Sequence, residues 1–420
     1  MTEPTAHDVL NLLRQGRNVF LTGPGGVGKT YITNQVISML DDYGFDPTRV
    51  AVTASTGVAA LNLNGRTIHS FSGMGTQTNA RYAETLRLKP NWNFTAGRLR
   101  HCQFVIIDEC SMLRGDQFAL LSKIFQNATK RPQPFGGIPL LLIGDFLQLP
   151  PVIKREERVK HKWIFKTPEW HACEFEILNL TKVHRQTDED FIKALHHLRM
   201  GECPDWVNEL ILSRTPSSGK RYLKPVRLYP CNCDVNMENR LELKKLPGPQ
   251  RKYTGKGTGV HQGFIDTMAK TCLAGQVLHL RPGTQVMALN NDLEQRYVNG
   301  STGRVVDFTE GQLPIVRLTD SGEEVVFNFH TWAMNDVNDK VLATYTQMPL
   351  KLSYAMTAHK AQGMTVDCAH VSCANSFAEG QIYVALSRVK SLDGLFVSGW
   401  NRKLLKADQQ AVDFYRSFEG

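Results

Sequence analysis

The sequence predicts an α/β chain of two parallel-sheet lobes, with a small insert on the first lobe and a small β insert in the second. Three observations predict it. The apolar run Asn18–Thr22 passes through a glycine-rich stretch into Tyr31–Leu40, where Ile32, Val36, Ile37 and Leu40 recur at helical spacing. Alternating strand and helix patterns of this kind belong to a parallel sheet. Short alternating runs then fill 285–329, broken by Asn299-Gly300, Glu310-Gly311 and Asp320-Ser321-Gly322. That spacing is a small β-barrel or sandwich. Strand–helix character returns at Met348, so the β-rich stretch is an insert. The 420 residues are more than one core usually supports.

Bulk composition sets further bounds. The chain is 42% hydrophobic and 21% charged, as in a soluble globular protein. No apolar stretch is long enough to span a bilayer. Met1–Asp8 lacks a basic or apolar leader region, so an intracellular, non-secreted protein is expected. The nine cysteines, at 102, 110, 173, 203, 231, 233, 272, 368 and 373, form no CxxC pair. They read as reduced thiols, mostly core. A net charge of +9 suits a polyanion partner, though alone it is weak evidence.

Taken in order, His7–Gln15 reads as a short helix closed by Gly16. Gly23-Pro24-Gly25-Gly26-Val27-Gly28-Lys29-Thr30 follows a strand and opens a helix, the context of a phosphate-binding P-loop. The glycines let backbone N–H groups wrap a phosphate chain, and the helix N-terminus adds its dipole. Lys29 would reach the β- and γ-phosphates, and the Thr30 hydroxyl would hold Mg²⁺. Arg49–Thr53 is a second strand, leading into the small residues Ala54–Ala60. In Thr67–Phe71, His69 and Ser70 could bond phosphates and Phe71 could stack on a base; half-buried structure is an equal reading. Ser72–Arg100 is polar and interrupts the alternation. Its Arg81, Arg87, Lys89, Arg98 and Arg100, beside Tyr82 and Trp92, suit single-stranded nucleic acid or a solvated excursion.

Gln103–Glu109 is a buried strand ending in two carboxylates, a Walker B pattern. Asp108 would hold Mg²⁺ and Glu109 would act as general base on water. Pro139–Ile143 is another strand, and Gln148 beyond it could contact the attacking water or the γ-phosphate. After strand Phe175–Leu180, Arg185 precedes a helix over Asp190–Met200. Val226–Tyr229 reads as a strand and Val235–Lys245 as a helix. The stretch Leu246–Arg281 is mixed, with a glycine-rich basic patch at 251–259. Leu350–Met356 is apolar, and a helix ends the chain from Lys403. There is one P-loop, one Walker B and a second α/β region without a P-loop. Two lobes sharing one nucleotide fit that count.

The ordered set resembles the superfamily-one DNA helicases, and more closely the petite-integration-frequency (Pif-one) family of the RecD-like 5′→3′ branch. The carriers are Gly23–Thr30, Thr53–Ala60, Ile68–Phe71, Ile107–Met112, Pro134–Gly137, Gly144–Pro151, Val183–Gln186, Thr357–Gly363 and Val384–Arg388. The resemblance spans essentially the whole chain. It implies a first RecA-like lobe at 1–71 and 101–180 with a wedge-type insert at 72–100. It implies a second RecA-like lobe at 181–284 and 349–420 with an SH3-like insert at 285–348.

The resemblance also implies roles. Lys29, Glu109, Gln148, Arg185 and Arg388 would be catalytic, the two arginines as fingers from the second lobe. Gly23–Thr30 and Gly363 would hold ATP, with Thr30 and Asp108 on Mg²⁺. Thr53, His69, Ser70, Phe71, Thr357, His359 and Lys360 would grip DNA. The implied partners are single-stranded DNA and its junctions with duplex, with G-quadruplexes and RNA–DNA hybrids open; no membrane is expected, and a monomer when free. One position departs from the pattern: Ala6, with His7 beside it, stands where an adenine-reading Gln is usual. That leaves preference for ATP over other nucleotides open. The implied activity is ATP-driven 5′→3′ unwinding; a nucleotide-gated DNA-binding switch is the alternative.

Overall fold

The computed structural model describes residues 3–75, 77–153, 156–215, 225–230, 233–272, 274–292, 294, 296–297, 299–319, 321–335, 341–358 and 361–419. The loop expected at 216–224, Cys231, and the turn residue Asp320 lie outside them. The chain divides into two compact units, 1–184 and 185–420, a few residues later than the expected boundary at 180.

In the first unit, the described residues form a six-stranded parallel sheet in the order Arg66–Thr67, Val50–Ala54, Phe104–Asp108, Leu140–Ile143, Val19–Thr22, Glu176–Asn179. Every residue of Val19–Thr22, Phe104–Asp108 and Leu140–Ile143 is buried. Unbroken apolar runs are what a parallel sheet covered on both faces requires. The Phe20 ring packs 5.1 Å from Phe146 and 5.3 Å from Trp170. Helix Ala6–Arg14 begins at a capping box in which Thr5 and Asp8 bond reciprocally.

The polar stretch 72–100 is more ordered than its composition suggests. It forms helices Tyr82–Arg87 and Trp92–His101. Their buried residues are Ala83 and Leu86, then Thr95, Ala96 and Leu99. Spacings of three and four residues place these on one face of each helix. Trp92–His101 packs on helix Gly115–Thr129. Leu88 and Phe94 stay exposed.

In the second unit, strands Ala355–Thr357, Val226–Tyr229, Ala369–Ser372 and Leu395–Ser398 form a parallel sheet in that order. The β-rich part is larger than 285–348. An antiparallel sheet joins Glu324–Val326, Pro314–Leu318, Thr302–Phe308, Gln285–Ala288 and Leu350–Leu352. A second joins His330–Asn335, Val341–Gln347 and Lys256–Gly259, and Arg251–Thr254 pairs with Val277–Leu280. The patch at 251–259 is therefore two strands. Its glycines serve close packing: a Cβ on Gly257 would lie 2.2 Å from Ile265 Cγ2, and one on Gly259 would lie 2.7 Å from the Leu342 carbonyl oxygen. The apolar run Leu350–Met356 is split between two sheets. Its first three residues pair antiparallel with Gln285–Ala288, while Ala355–Thr357 pairs parallel with Val226–Tyr229. No helix among the described residues is long and apolar enough to cross a membrane.

Candidate active site

Because the six strands of the first sheet run in one direction, their carboxyl ends share one edge. Thr22 opens there into 23–28, Asp108 ends there, and Ile143 leads there into Gly144–Gln148. Gly28 is left-handed at φ 91° and caps helix Lys29–Ser38 without a side-chain hydrogen bond. An uncapped first turn of this kind leaves N–H groups that can receive an anion. Lys29 Nζ donates to the carbonyls of Gly23 at 2.6 Å and Pro24 at 2.8 Å, so its charge lies over the loop. Gly26 O accepts from His184 N at 2.9 Å.

Gly23 cannot be replaced cheaply. Its φ is 137°, and a Cβ there would lie 2.3 Å from the Leu180 carbonyl oxygen. Gly23→Ala is expected to destabilise the chain by about 1–3 kcal/mol and to weaken nucleotide binding. Thermal unfolding and nucleotide titration measure the two effects.

Asp108 and Glu109 are held rigidly. Ser55 N donates to Asp108 O at 2.9 Å, and Ser55 Oγ donates to Glu109 O at 2.6 Å. Glu109 N donates to Asp108 Oδ1 at 2.8 Å. Glu109 sits in the left-handed region at φ 51°, where a residue with a Cβ is strained. Burial, with Glu109 adding, pushes the Asp108 carboxyl up to about 7; Lys29 acts in the opposite direction. Cys110 is fully buried, and a Cβ on Gly144 would lie 2.9 Å from its Sγ, so this residue serves packing. Gln148 is buried, and its Nε2 donates to Asp145 Oδ2 at 3.2 Å.

The oxygen donors suit Mg²⁺. Thr30 is exposed in the first helical turn, and Asp108 is a buried carboxylate at the end of the strand two places away in the sheet from Val19–Thr22. Among the described residues no group of three or more His, Cys, Asp or Glu could hold a metal alone. Such a set matches an ion that keeps waters and takes phosphate oxygens.

The expected DNA contacts divide. His69 is half-buried with Nε2 3.3 Å from Gln117 Nε2, and burial lowers its pKa, so the ring is neutral near pH 7. Ser70 is exposed. Thr53 requires correction: it is fully buried, and its hydroxyl donates to the Ile106 carbonyl inside the sheet. Phe71 also requires correction. It is 6% exposed, and the Arg98 guanidinium lies over its ring at 5.0 Å, so that face is not offered to a base. Thr357 is corrected likewise, being 2% exposed at its strand end. His359 and Lys360 lie outside the described residues.

In the second unit, Gly363 takes a left-handed φ of 77°, and an added Cβ there would meet nothing within 4 Å. Arg185 Nε donates to Thr365 Oγ1 and its Nη1 to Ser387 O, both at 3.0 Å. Arg388 is 2% exposed; its Nε donates to Val384 O at 2.9 Å and its Nη2 to Ser387 Oγ at 2.8 Å. Burial, with Arg388 adding repulsion, pushes the Arg185 guanidinium down to about 9. The two expected fingers are thus neighbours. Sequence reasoning gave no role to Gln186, Thr365 or Ser387. Adjacency to an arginine in the Val183–Gln186 and Val384–Arg388 motifs was the available signal.

The family model for PIF1-like helicases matches residues 6–219. The chain is 35% identical over 420 residues to ATP-dependent DNA helicase PIF1 of Xenopus laevis, covering 98% of this chain and 63% of that protein. It is 34% identical to ATP-dependent DNA helicase Pif1 of Bdellovibrio bacteriovorus, covering 99% of this chain and 92% of that one. The chain therefore spans under two thirds of the Xenopus relative. The crystal structure of Bacteroides sp. Pif1 in complex with ADP-AlF4 superposes with a TM-score of 0.85 at 27% identity, covering 99% and 96% of the two chains. Bacteroides Pif1 in complex with ADP-AlF3 and ssDNA gives 0.68 at 27% identity, covering 100% and 98%. With the phosphate loop, the Walker B strand end and Arg185 inside the matched residues, and the Bdellovibrio relative matched over nearly its whole length, the chain belongs to the PIF1-like helicase family.

Proposed function

We propose that this chain is an ATP-hydrolysing DNA helicase that translocates 5′→3′ on single-stranded DNA and opens duplex ahead of it. The observation that carries the reading is the Asp108–Glu109 strand end, on one edge with the Lys29 loop and within its electrostatic reach. A DNA-binding module has no use for a buried carboxylate followed by a second one held in a strained backbone. The names and ligands of the relatives support the same reading.

In this mechanism the loop N–H groups and Lys29 orient the triphosphate, and Glu109 accepts the proton of the attacking water. Thr30 and Asp108 would hold Mg²⁺, which would supply charge neutralisation at the phosphates. Gln148 senses the γ-phosphate, with Gly363 backbone close to it. Arg185 and Arg388 stabilise charge on the transferring group, so hydrolysis depends on the second unit. His69 and Ser70, with His359 and Lys360, hold the strand through its phosphate backbone. Exposed Leu88 and Phe94 on the insert suit contact with the last base pair.

Unwinding of matched 5′- and 3′-tailed DNA duplexes, with ATP and with GTP, tests the reading. Strand separation is expected only from the 5′ tail, and hydrolysis only with single strands present. Equal unwinding from both tails removes the polarity, and no DNA-stimulated turnover removes the proposal. The GTP arm tests what Ala6 does to base selectivity. G-quadruplex and RNA–DNA hybrid substrates extend the same assay.

A further inference from the structure

Two short segments of the second unit are braced against each other at residues 185–186 and 387–389. Gln186 is 2% exposed. Its Nε2 donates to Ser387 O at 3.1 Å and to Val389 O at 2.8 Å. Arg185, one residue earlier, donates to the same Ser387 carbonyl at 3.0 Å. Ser387 Oγ accepts from Arg388 at 2.8 Å and donates to Val384 O at 3.0 Å. Both hydrogens of the Gln186 amide are therefore used on the segment carrying Arg388. Its Oε1 is buried without a partner.

That arrangement is poorly explained by stability. An unsatisfied buried acceptor is unfavourable, and an apolar side chain of similar length would remove it. The two guanidinium groups also repel one another. The Gln186 amide spans the Ser387 and Val389 carbonyls with one planar donor group, and so holds the two segments together against that repulsion.

We infer that Gln186 is a positioning residue for phosphoryl transfer, fixing the spacing at which Arg185 and Arg388 present their guanidinium groups to a transferring phosphoryl group. The inference rests on the hydrolytic function proposed above. Gln186 does not touch the nucleotide; it acts through the two arginines. A tetrahedral phosphate tolerates loose placement, whereas the planar transition state needs both charges at set positions, so the effect falls on turnover rather than on binding.

Gln186→Met tests it, because it keeps length and volume while removing the amide. The kcat of ATP hydrolysis stimulated by single-stranded DNA is expected to fall about 10- to 100-fold. KM for ATP and the melting temperature should stay near those of the parent, and affinity for ADP–aluminium fluoride should fall while affinity for ADP holds. In an Arg185→Ala background the added change should cost less than about twofold, since groups acting as a unit are not additive. A kcat within twofold of the parent overturns the inference. So does an undiminished loss in the Arg185→Ala background, or a drop in melting temperature that accounts for lost activity. Should the methionine variant fold poorly, Gln186→Asn retains the amide one methylene short and is expected to show the same kcat-only loss. If the parent itself shows no DNA-stimulated hydrolysis, the proposed function fails. If the parent turns over and the variants match it, only the role of Gln186 fails.

Discussion

Arg185→Ala is expected to slow ATP hydrolysis stimulated by single-stranded DNA by about 10³–10⁵-fold, the range seen when an arginine finger is missing from a phosphoryl-transfer site. Nucleotide and DNA binding should survive, because the loop 23–30 and the DNA-facing residues are untouched. Stability should survive as well. Burial and the nearby Arg388 push this guanidinium down to about 9, so the charge is held against its own solvation and alanine removes that burden. A pre-steady-state hydrolysis assay, run beside thermal unfolding, separates the two effects. Turnover within tenfold of the parent would exclude a finger role for Arg185.

Glu109→Gln is expected to cost about 10²–10⁴-fold in hydrolysis, the usual contribution of a positioned general base. The amide keeps the shape and the backbone bond to Asp108 Oδ1 but cannot take a proton. Loading of Mg-ATP should therefore persist, and the variant should remain bound to nucleotide and DNA without separating strands. Retained unwinding would remove Glu109 from the chemistry and move the base elsewhere on that edge. The two substitutions act on different units of the chain, so each also checks the other: both should stop turnover while leaving binding.

The parts of the fold that the sequence made legible are those whose pattern has one physical explanation. Val19–Leu21 and Phe104–Ile107 are apolar at every position, as a doubly covered strand needs. The glycine spacing of 23–28 is tied to φ values that other residues resist. The less legible parts depend on partners far along the chain. Thr53 and Phe71 stand in the right motifs, yet Ile106 and Arg98 claim them, and no local pattern says which partner a side chain in a strand or short helix will meet. Glycines at 257 and 259 read only as part of a glycine-rich basic patch, because close packing against Ile265 and Ala343 cannot be seen from sequence. Leu350–Met356 reads as one run because hydrophobicity does not identify the sheet that receives each half. Gln186 was quoted within a motif but given no role, since its importance lies in two carbonyls about two hundred residues away.

The backbone at Glu109 has one last consequence. A left-handed φ of 51° suits glycine or asparagine far better than glutamate. Selection of variants for heat tolerance alone should therefore drift toward those residues at this position, gaining about 1 kcal/mol while silencing the motor. Durability and work are opposed at a single peptide unit, and the residue found there records which of the two has been favoured.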